Sequence, residues 1–297
     1  MKVAIIGGSG NMGRWFARSL LQEGYEVIIT GRNEGKLLEA RQQLGVEGTT
    51  DNVAVVKNAQ AILVSVPIDN FEAVIEQIGP YTRPEQVIID ITSIKASPVA
   101  AMHKHIKLGS VLGAHPLFGP GAKDIANRSF VLTPTNKEET ALAQKVKEYL
   151  ETRGARVILM RPDEHDEIMA VVLGLSHFIA IVSADTLLSF DRLKQMEIVS
   201  GITFKLLVTL TESVISENPE LYASLQTNLP KLAEIERSFQ DKVNTWADLV
   251  ESKDQQEFAR KMKSLKGRFN KINPDFSSAY EDMYKLIDTL QKPPPEH

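Results

Sequence analysis

The chain contains no cysteine at all. That one absence excludes disulfides, thiolate metal sites and cysteine nucleophiles together, and it fits a reducing compartment. An excess of either charge is lacking too: 34 basic and 38 acidic side chains leave a net charge of -4 over 297 residues. Nothing global therefore attracts nucleic acid or an anionic membrane surface, and an anionic ligand would have to be met by local cations. Long apolar runs are also missing. No uninterrupted run approaches a bilayer span, and Lys2-Val3-Ala4-Ile5-Ile6 reads as a short strand rather than a signal peptide. The expectation is a cytoplasmic protein with no nucleic-acid partner, no membrane partner and no metal.

What is present is enough apolar material, 43% of the residues, for a sizeable core, on a length that suits two domains better than one. Up to about residue 160, β-branched runs at 3–6, 26–30, 61–66, 86–90, 129–133 and 156–160 alternate with amphipathic helical stretches. This predicts an α/β domain with a mostly parallel sheet covered by helices on both faces. After Pro162 apolar residues recur at helical spacing, as in Met169, Val172, Leu175 and Phe178, then Leu221, Leu225, Leu229 and Leu232. That half should be all-helical. The predicted division is residues 1–163 and 164–292, with the proline-rich 293–297 a frayed tail.

Gly8-Ser9-Gly10-Asn11-Met12-Gly13 follows the first strand and opens a helix, with a second strand beyond it. Glycines in this context allow a tight turn and the close approach of a pyrophosphate, whose charge sits on free N–H groups at the helix N-terminus. This is the fingerprint of a Rossmann-type domain binding NAD or NADP. The second strand ends Thr30-Gly31-Arg32-Asn33 and carries no acid at its tip. An acid there would accept from the ribose 2′-hydroxyl of NAD, whereas an arginine suits the 2′-phosphate of NADP, so NADP is the expected preference. Val66 and Pro67, past the strand at 61–66, complete the expected cofactor lining.

Three polar clusters follow. Asp90-Ile91-Thr92-Ser93-Ile94-Lys95 lies just past a strand end, where open α/β sheets bind ligands; its plainer reading is a turn that caps a helix. His115 stands in Gly113-Ala114-His115-Pro116-Leu117-Phe118-Gly119-Pro120, read as a stiffened loop, where it is a base or a histidine satisfied by a backbone carbonyl. His165 and His177, twelve residues apart, share roughly one face of an unbroken helix but cannot share a ligand. His177 lies among apolar neighbours, and His165 among acids at an exposed helix start.

In order and spacing these segments resemble the prephenate dehydrogenases of tyrosine biosynthesis, the archaeal members in particular. The likeness runs from Asp90–Lys95 and His115–Pro120, through His165-Asp166, Met169-Ala170 and Leu175-Ser176-His177-Phe178, to Glu217-Asn218-Pro219-Glu220-Leu221-Tyr222-Ala223. The resemblance implies oxidative decarboxylation of a small anionic substrate, prephenate or arogenate. Hydride leaves the hydroxyl-bearing ring carbon for the nicotinamide, carbon dioxide departs and the ring becomes aromatic. It implies that His115 accepts the hydroxyl's hydrogen bond and draws its proton, that Ser93 helps position this hydroxyl and the histidine near the nicotinamide, and that His177 lines the substrate cleft. It also implies a homodimer through the helical domain. Lys95 would lend positive charge nearby.

One position departs from the family pattern. Where members carry a carboxylate-clamping arginine one turn before Asn-Pro-x-Leu-Tyr, this chain has Ser213, and a serine cannot replace a bidentate guanidinium. Either Lys205 or another cation compensates, or the substrate is not prephenate. Two further readings stay open: a dehydrogenase of another hydroxy acid, and a non-catalytic dinucleotide sensor, against which the Ser93 and His115 pair argues. If His115 must start neutral, kcat/KM is expected to rise with pH through about 6 to 7.

Overall fold

The computed structural model describes residues 1–290, so the expected tail at 293–297 lies outside the described residues. The chain divides into two units: Met1–Ala170 with Ala223–Pro230, and Val171–Tyr222 with the chain from Lys231 onward. The division falls beyond the expected 163. Helix Pro162–Met169 turns His165, Asp166 and Met169 inward and packs with helix Ala96–His105, which keeps it in the first unit.

The first unit is built on one sheet of eight strands: β1 (Lys2–Ile6), β2 (Glu26–Thr30), β3 (Glu47–Thr49), β4 (Ala61–Val64), β5 (Val87–Asp90), β6 (Ser110–Pro116), β7 (Ser129–Leu132) and β8 (Arg156–Leu159). They lie in the order β3-β2-β1-β4-β5-β6-β7-β8. Neighbours run parallel except β6 with β7. Alternation along β1 explains how the layers stack. Val3 and Ile5 face helices Asn11–Gln22, Glu34–Leu44 and Lys137–Glu151, and Ala4 and Ile6 face helices Asn52–Asn58, Ile68–Ile78 and Ala96–His105. Ile5, Ile29, Ile62 and Ile88 are fully buried, each contributing on the order of 1.5–3 kcal/mol.

Two strands depart from the sequence expectation. Glu47-Gly48-Thr49 has no β-rich run, yet it pairs with β2 at the sheet edge. The segment read as a Gly/Pro loop around His115 is the end of β6, with His115 opposite Val131 of β7. Pairing on both sides of β6, with β5 and β7, overrides the low strand propensity of its Gly113 and Pro116.

The second unit is helical throughout its described residues apart from turns. Helices Ser176–Leu188 and Ile202–Ile215 pack together and bury Ala180, Ala184, Val208, Thr211 and Val214. Ahead of Ile202–Ile215 the chain breaks at Val199 to Gly201, and Leu193–Ile198 is a separate short helix. Leu232–Glu251 and Gln255–Ile272 form a hairpin in which Trp246 meets Phe258 edge-on, centroids 4.9 Å apart. Between Met169 and Ser176 the chain winds as a π-helix, Ala170–Leu175. The continuous helix Pro162–Leu188 is long and apolar enough to cross a membrane by length and composition alone. No single run of the sequence suggested this, because Ser176 and His177 interrupt it.

Candidate active site

The strand order turns at β1 and β4, whose carboxyl ends open a crevice between them, the usual ligand position in such sheets. The glycine turn lies there. Gly7 has φ of +80°, and a Cβ on it would come 2.2 Å from Ser65 O; a Cβ on Gly13 would come 2.5 Å from Gly7 O. Only glycine fits this cradle. Gly8, Ser9 and Gly10 form the turn, and Gly10 caps helix Asn11–Gln22 without a side chain. The first helical bond is Arg14 N to Gly10 O at 2.8 Å, which leaves the amides of Asn11, Met12 and Gly13 for a ligand. No acid stands in this first turn to repel a phosphate. The residues thus fit a dinucleotide pyrophosphate.

The rest of the expected lining surrounds that turn. Gly31 packs on Ser9, since a Cβ there would meet Ser9 Oγ at 2.2 Å. Arg32 is exposed at the end of β2. Asn33 uses its side-chain oxygen to cap the next helix, accepting from Lys36 N at 2.9 Å. Val66 and Pro67 follow β4, and Val66 Cγ1 lies 3.0 Å from the position of a Gly7 Cβ. An apolar cavity of about 380 Å³ also lies over β4 and β5, lined by Trp15, Leu20, Val87 and Tyr149, but none of the expected site residues lines it.

At the same carboxyl end, past β5 and on β6, sits a buried network of ionisable groups. Asp90 and Lys95 are fully buried and form an ion pair. The Lys95 ammonium also donates to Ala114 O at 2.8 Å, and Thr92 N donates to Asp90 Oδ1 at 2.7 Å. Burial opposes the charged form of each, raising Asp90 and lowering Lys95, while their mutual attraction counters it. Lys95 is therefore not a substrate contact as the sequence suggested, because its ammonium is satisfied inside the protein. Burial favours this arrangement because an ammonium with no exposed surface needs acceptors on every side.

His115 is 4% exposed, and its Nδ1 lies 2.8 Å from Nε2 of His165, which is wholly buried. His165 Nδ1 lies 2.7 Å from Asp166 Oδ1. Asp166 in turn accepts from the backbone amides of Lys95 at 2.7 Å and Ala96 at 2.8 Å. Burial, then His165, then Lys95 push His115 well below its ordinary value of 6.5. Its protonation therefore moves to lower pH, and with it the pH limb expected between 6 and 7. Ser93 is half-buried in the turn after β5, but its hydroxyl makes no hydrogen bond among the described residues. The partner of His115 is His165, not Ser93.

His165 and Asp166 are the residues whose role the sequence reading missed. The acids around them suggested solvent, and Asp163, Glu164 and Glu167 are indeed exposed. The overlooked signal was the inward face His165, Asp166, Met169 and Ala170, spaced at one helical turn. The π-helix Ala170–Leu175 also removes the regular spacing assumed between His165 and His177.

In the second unit His177 stacks edge-on against Tyr222, centroids 4.8 Å apart, and its Nδ1 is buried without a hydrogen-bond partner. Burial lowers its pKa. Lys205 is exposed on helix Ile202–Ile215. Ser213, on the same helix, is exposed and donates to Leu210 O at 2.8 Å.

A glycine cradle at the strand-order switch, a buried imidazole at the same sheet end and an appended helical unit define a dinucleotide-binding α/β protein with a candidate general base. Comparison with known proteins narrows that class. Residues 16–159 match the family model for the nucleotide-binding domain of prephenate dehydrogenase, and residues 161–264 match its dimerization domain. The chain belongs to the prephenate dehydrogenase family. It is 36% identical over 273 residues to a protein of Methanocaldococcus jannaschii named probable arogenate/prephenate dehydrogenase, covering 91% of this chain and 61% of that one. It is 30% identical to the T-protein of Enterobacter agglomerans, covering 86% of this chain and 64% of that one. The chain thus spans somewhat under two thirds of the length of these two relatives. Among solved structures, prephenate dehydrogenase of Aquifex aeolicus, in complex with hydroxyphenyl propionate and NAD+, superposes with a TM-score of 0.75 at 22% identity. That match covers 92% of this chain and 98% of that one, and it bears on the fold.

Proposed function

We propose that this chain is an NAD(P)-dependent dehydrogenase that oxidatively decarboxylates prephenate or arogenate, giving 4-hydroxyphenylpyruvate or tyrosine. One observation carries the reading. In a chain of this family, a buried imidazole on β6 stands at the same sheet end as an uncapped glycine turn.

When bound, the oxidised nicotinamide supplies the hydride acceptor. The chain's own work is orientation and proton management, because aromatisation drives the reaction. Asn11, Met12 and Gly13 hold the pyrophosphate on their amides. His115 draws the ring hydroxyl's proton as the adjacent C–H bond gives up hydride. It holds that proton while the ring carboxylate leaves as carbon dioxide, then returns it to the oxygen of the new phenol, so the histidine ends neutral. The unpartnered hydroxyl of Ser93 is free to hydrogen-bond the same oxygen. His177 contacts the substrate, and Lys205 supplies the cation that Ser213 does not. NADP is preferred over NAD because Arg32, not an acid, ends β2. A second copy covers the apolar helices of the second unit, making a cytoplasmic homodimer.

The test is to incubate the protein with prephenate and with arogenate, each with NAD+ and with NADP+, and follow reduced-cofactor absorbance. Turnover of either substrate with release of carbon dioxide is the expected result. No signal in any of the four mixtures overturns the reading, and a lower KM for NAD+ than for NADP+ overturns the cofactor preference.

A further inference from the structure

The network beside His115 contains more than the proposed chemistry uses. Two of its members, His165 and Asp166, have almost no exposed surface and come from a helix that the proposed reaction leaves without a role. The hydrogen-bond chain has a direction. Backbone amides can only donate, and those of Lys95 and Ala96 point at the two oxygens of Asp166, so its carboxylate is an acceptor at both. His165 Nδ1, 2.7 Å from Oδ1, must then donate. A neutral ring that donates from Nδ1 carries its lone pair on Nε2, which faces His115 Nδ1 at 2.8 Å. His115 Nδ1 therefore donates in turn. The lone pair of His115 is left on Nε2, the ring nitrogen with no hydrogen-bond partner among the described residues.

We propose that Asp166 and His165 are positioning residues that hold His115 in its Nδ1–H tautomer, so that Nε2 is the atom that takes the substrate's hydroxyl proton. The assignment of that proton rests on the proposed dehydrogenase reaction; the tautomer does not. An unconstrained histidine side chain favours the opposite tautomer, with the proton on Nε2, which could not act as a base at that atom. The relay also carries charge. When Nε2 takes a proton, the positive ring gives its Nδ1–H more strongly to His165, which is backed by the Asp166 carboxylate. The other charged groups facing the pair are Lys95 and Asp90, which neutralise each other. Asp166 is thus the carboxylate that stands directly behind the two rings, held by two backbone amides. Lys95 has a second use here, since its backbone amide orients Asp166 while its ammonium holds Asp90.

The test reads the tautomer directly. In protein labelled with ¹⁵N at histidine, with the His115 signals assigned by their loss in His115→Gln, His115 should show a protonated Nδ1 and a bare Nε2 above pH 7. A protonated Nε2 in the wild type overturns the proposal. In His165→Phe, which keeps a ring but offers no acceptor, the tautomer should switch and kcat should fall by about 10²-fold or more, with KM for the cofactor unchanged. His165→Gln, whose amide oxygen can accept the same N–H, should recover at least a tenth of the wild-type kcat. Wild-type kcat in His165→Phe overturns the relay. If neither prephenate nor arogenate is turned over but His115 shows the bare Nε2, the substrate reading falls and the tautomer assignment stands.

Discussion

The two units of this chain bury their apolar residues very differently. In the first, both faces of the sheet are covered, and even the buried charged groups are partnered, as in Asp90 with Lys95 and Asp166 with two backbone amides. In the second, large apolar side chains remain exposed, among them Leu188, Phe190, Met262, Phe269 and Ile272, with Ile198 at 83% and Val199 at 84%. Few side chains there are buried, and Thr211 Oγ1 and His177 Nδ1 are buried without partners. The first unit is a finished core. The second has the surface of an element that needs something to cover it, and the family's dimerization domain occupies this part of the chain.

That contrast can be broken from either side. The largest expected effect is on chemistry in the first unit. His115→Asn should lower kcat by about 10²- to 10⁴-fold, measured in steady state, while isothermal titration finds cofactor affinity unchanged. Next comes stability. Lys95→Met leaves Asp90 buried without its partner and should cost about 3–5 kcal/mol in denaturant unfolding, with no change in oligomeric state at native concentrations. A loss under 1 kcal/mol would mean that the pair is not buried as described.

Gly13→Ala should weaken cofactor binding by more than about tenfold, since its Cβ would stand 2.5 Å from Gly7 O and displace the turn that presents the amides. The second unit should answer in the opposite way. Val199→Asp should change the stability of an isolated chain by less than about 0.5 kcal/mol, as an exposed site does, yet shift the protein from dimer to monomer in analytical ultracentrifugation. A dimer that survives would place the interface elsewhere on this unit.

The smallest effect is the pH dependence. Burial depresses the pKa of His115 in the folded protein, so the neutral base persists as pH falls through 6.5. kcat/KM should be flat from pH 7 to 6 and decline only at lower pH. The linkage to stability has the matching sign: a histidine with a depressed folded pKa contributes in full above its unfolded value and loses that contribution as pH falls toward the folded one. A rise in kcat/KM centred between 6 and 7 would show that His115 is more accessible to water than its 4% exposure indicates.

Much of the fold was legible in the sequence because its signals are local. Six of the eight strands stood out as β-branched runs, and the glycine turn was recognisable from its place between a strand and a helix. The two strands that were not legible, β3 and β6, are held by pairing with residues distant in sequence: Thr49 opposite Thr30, and His115 opposite Val131. The site was legible in part. His115 was found, but its partner was sought in Ser93 and proves to be His165, fifty residues along the chain. Lys95 was expected to lend positive charge beside the substrate, as the family resemblance implied, and only its packing against Asp90 and Ala114 shows its ammonium enclosed.

By itself, then, the sequence determined the alternation of layers, the helical second half, the glycine turn and the residue types able to do the chemistry. All of these follow from periodicity and from the few conformations that glycine and proline impose over short stretches. Only the tertiary structure decided which nitrogen of His115 is free, which carboxylate stands behind it and which lysine is enclosed. Those outcomes depend on burial and on hydrogen-bond direction between segments that meet only when the chain folds.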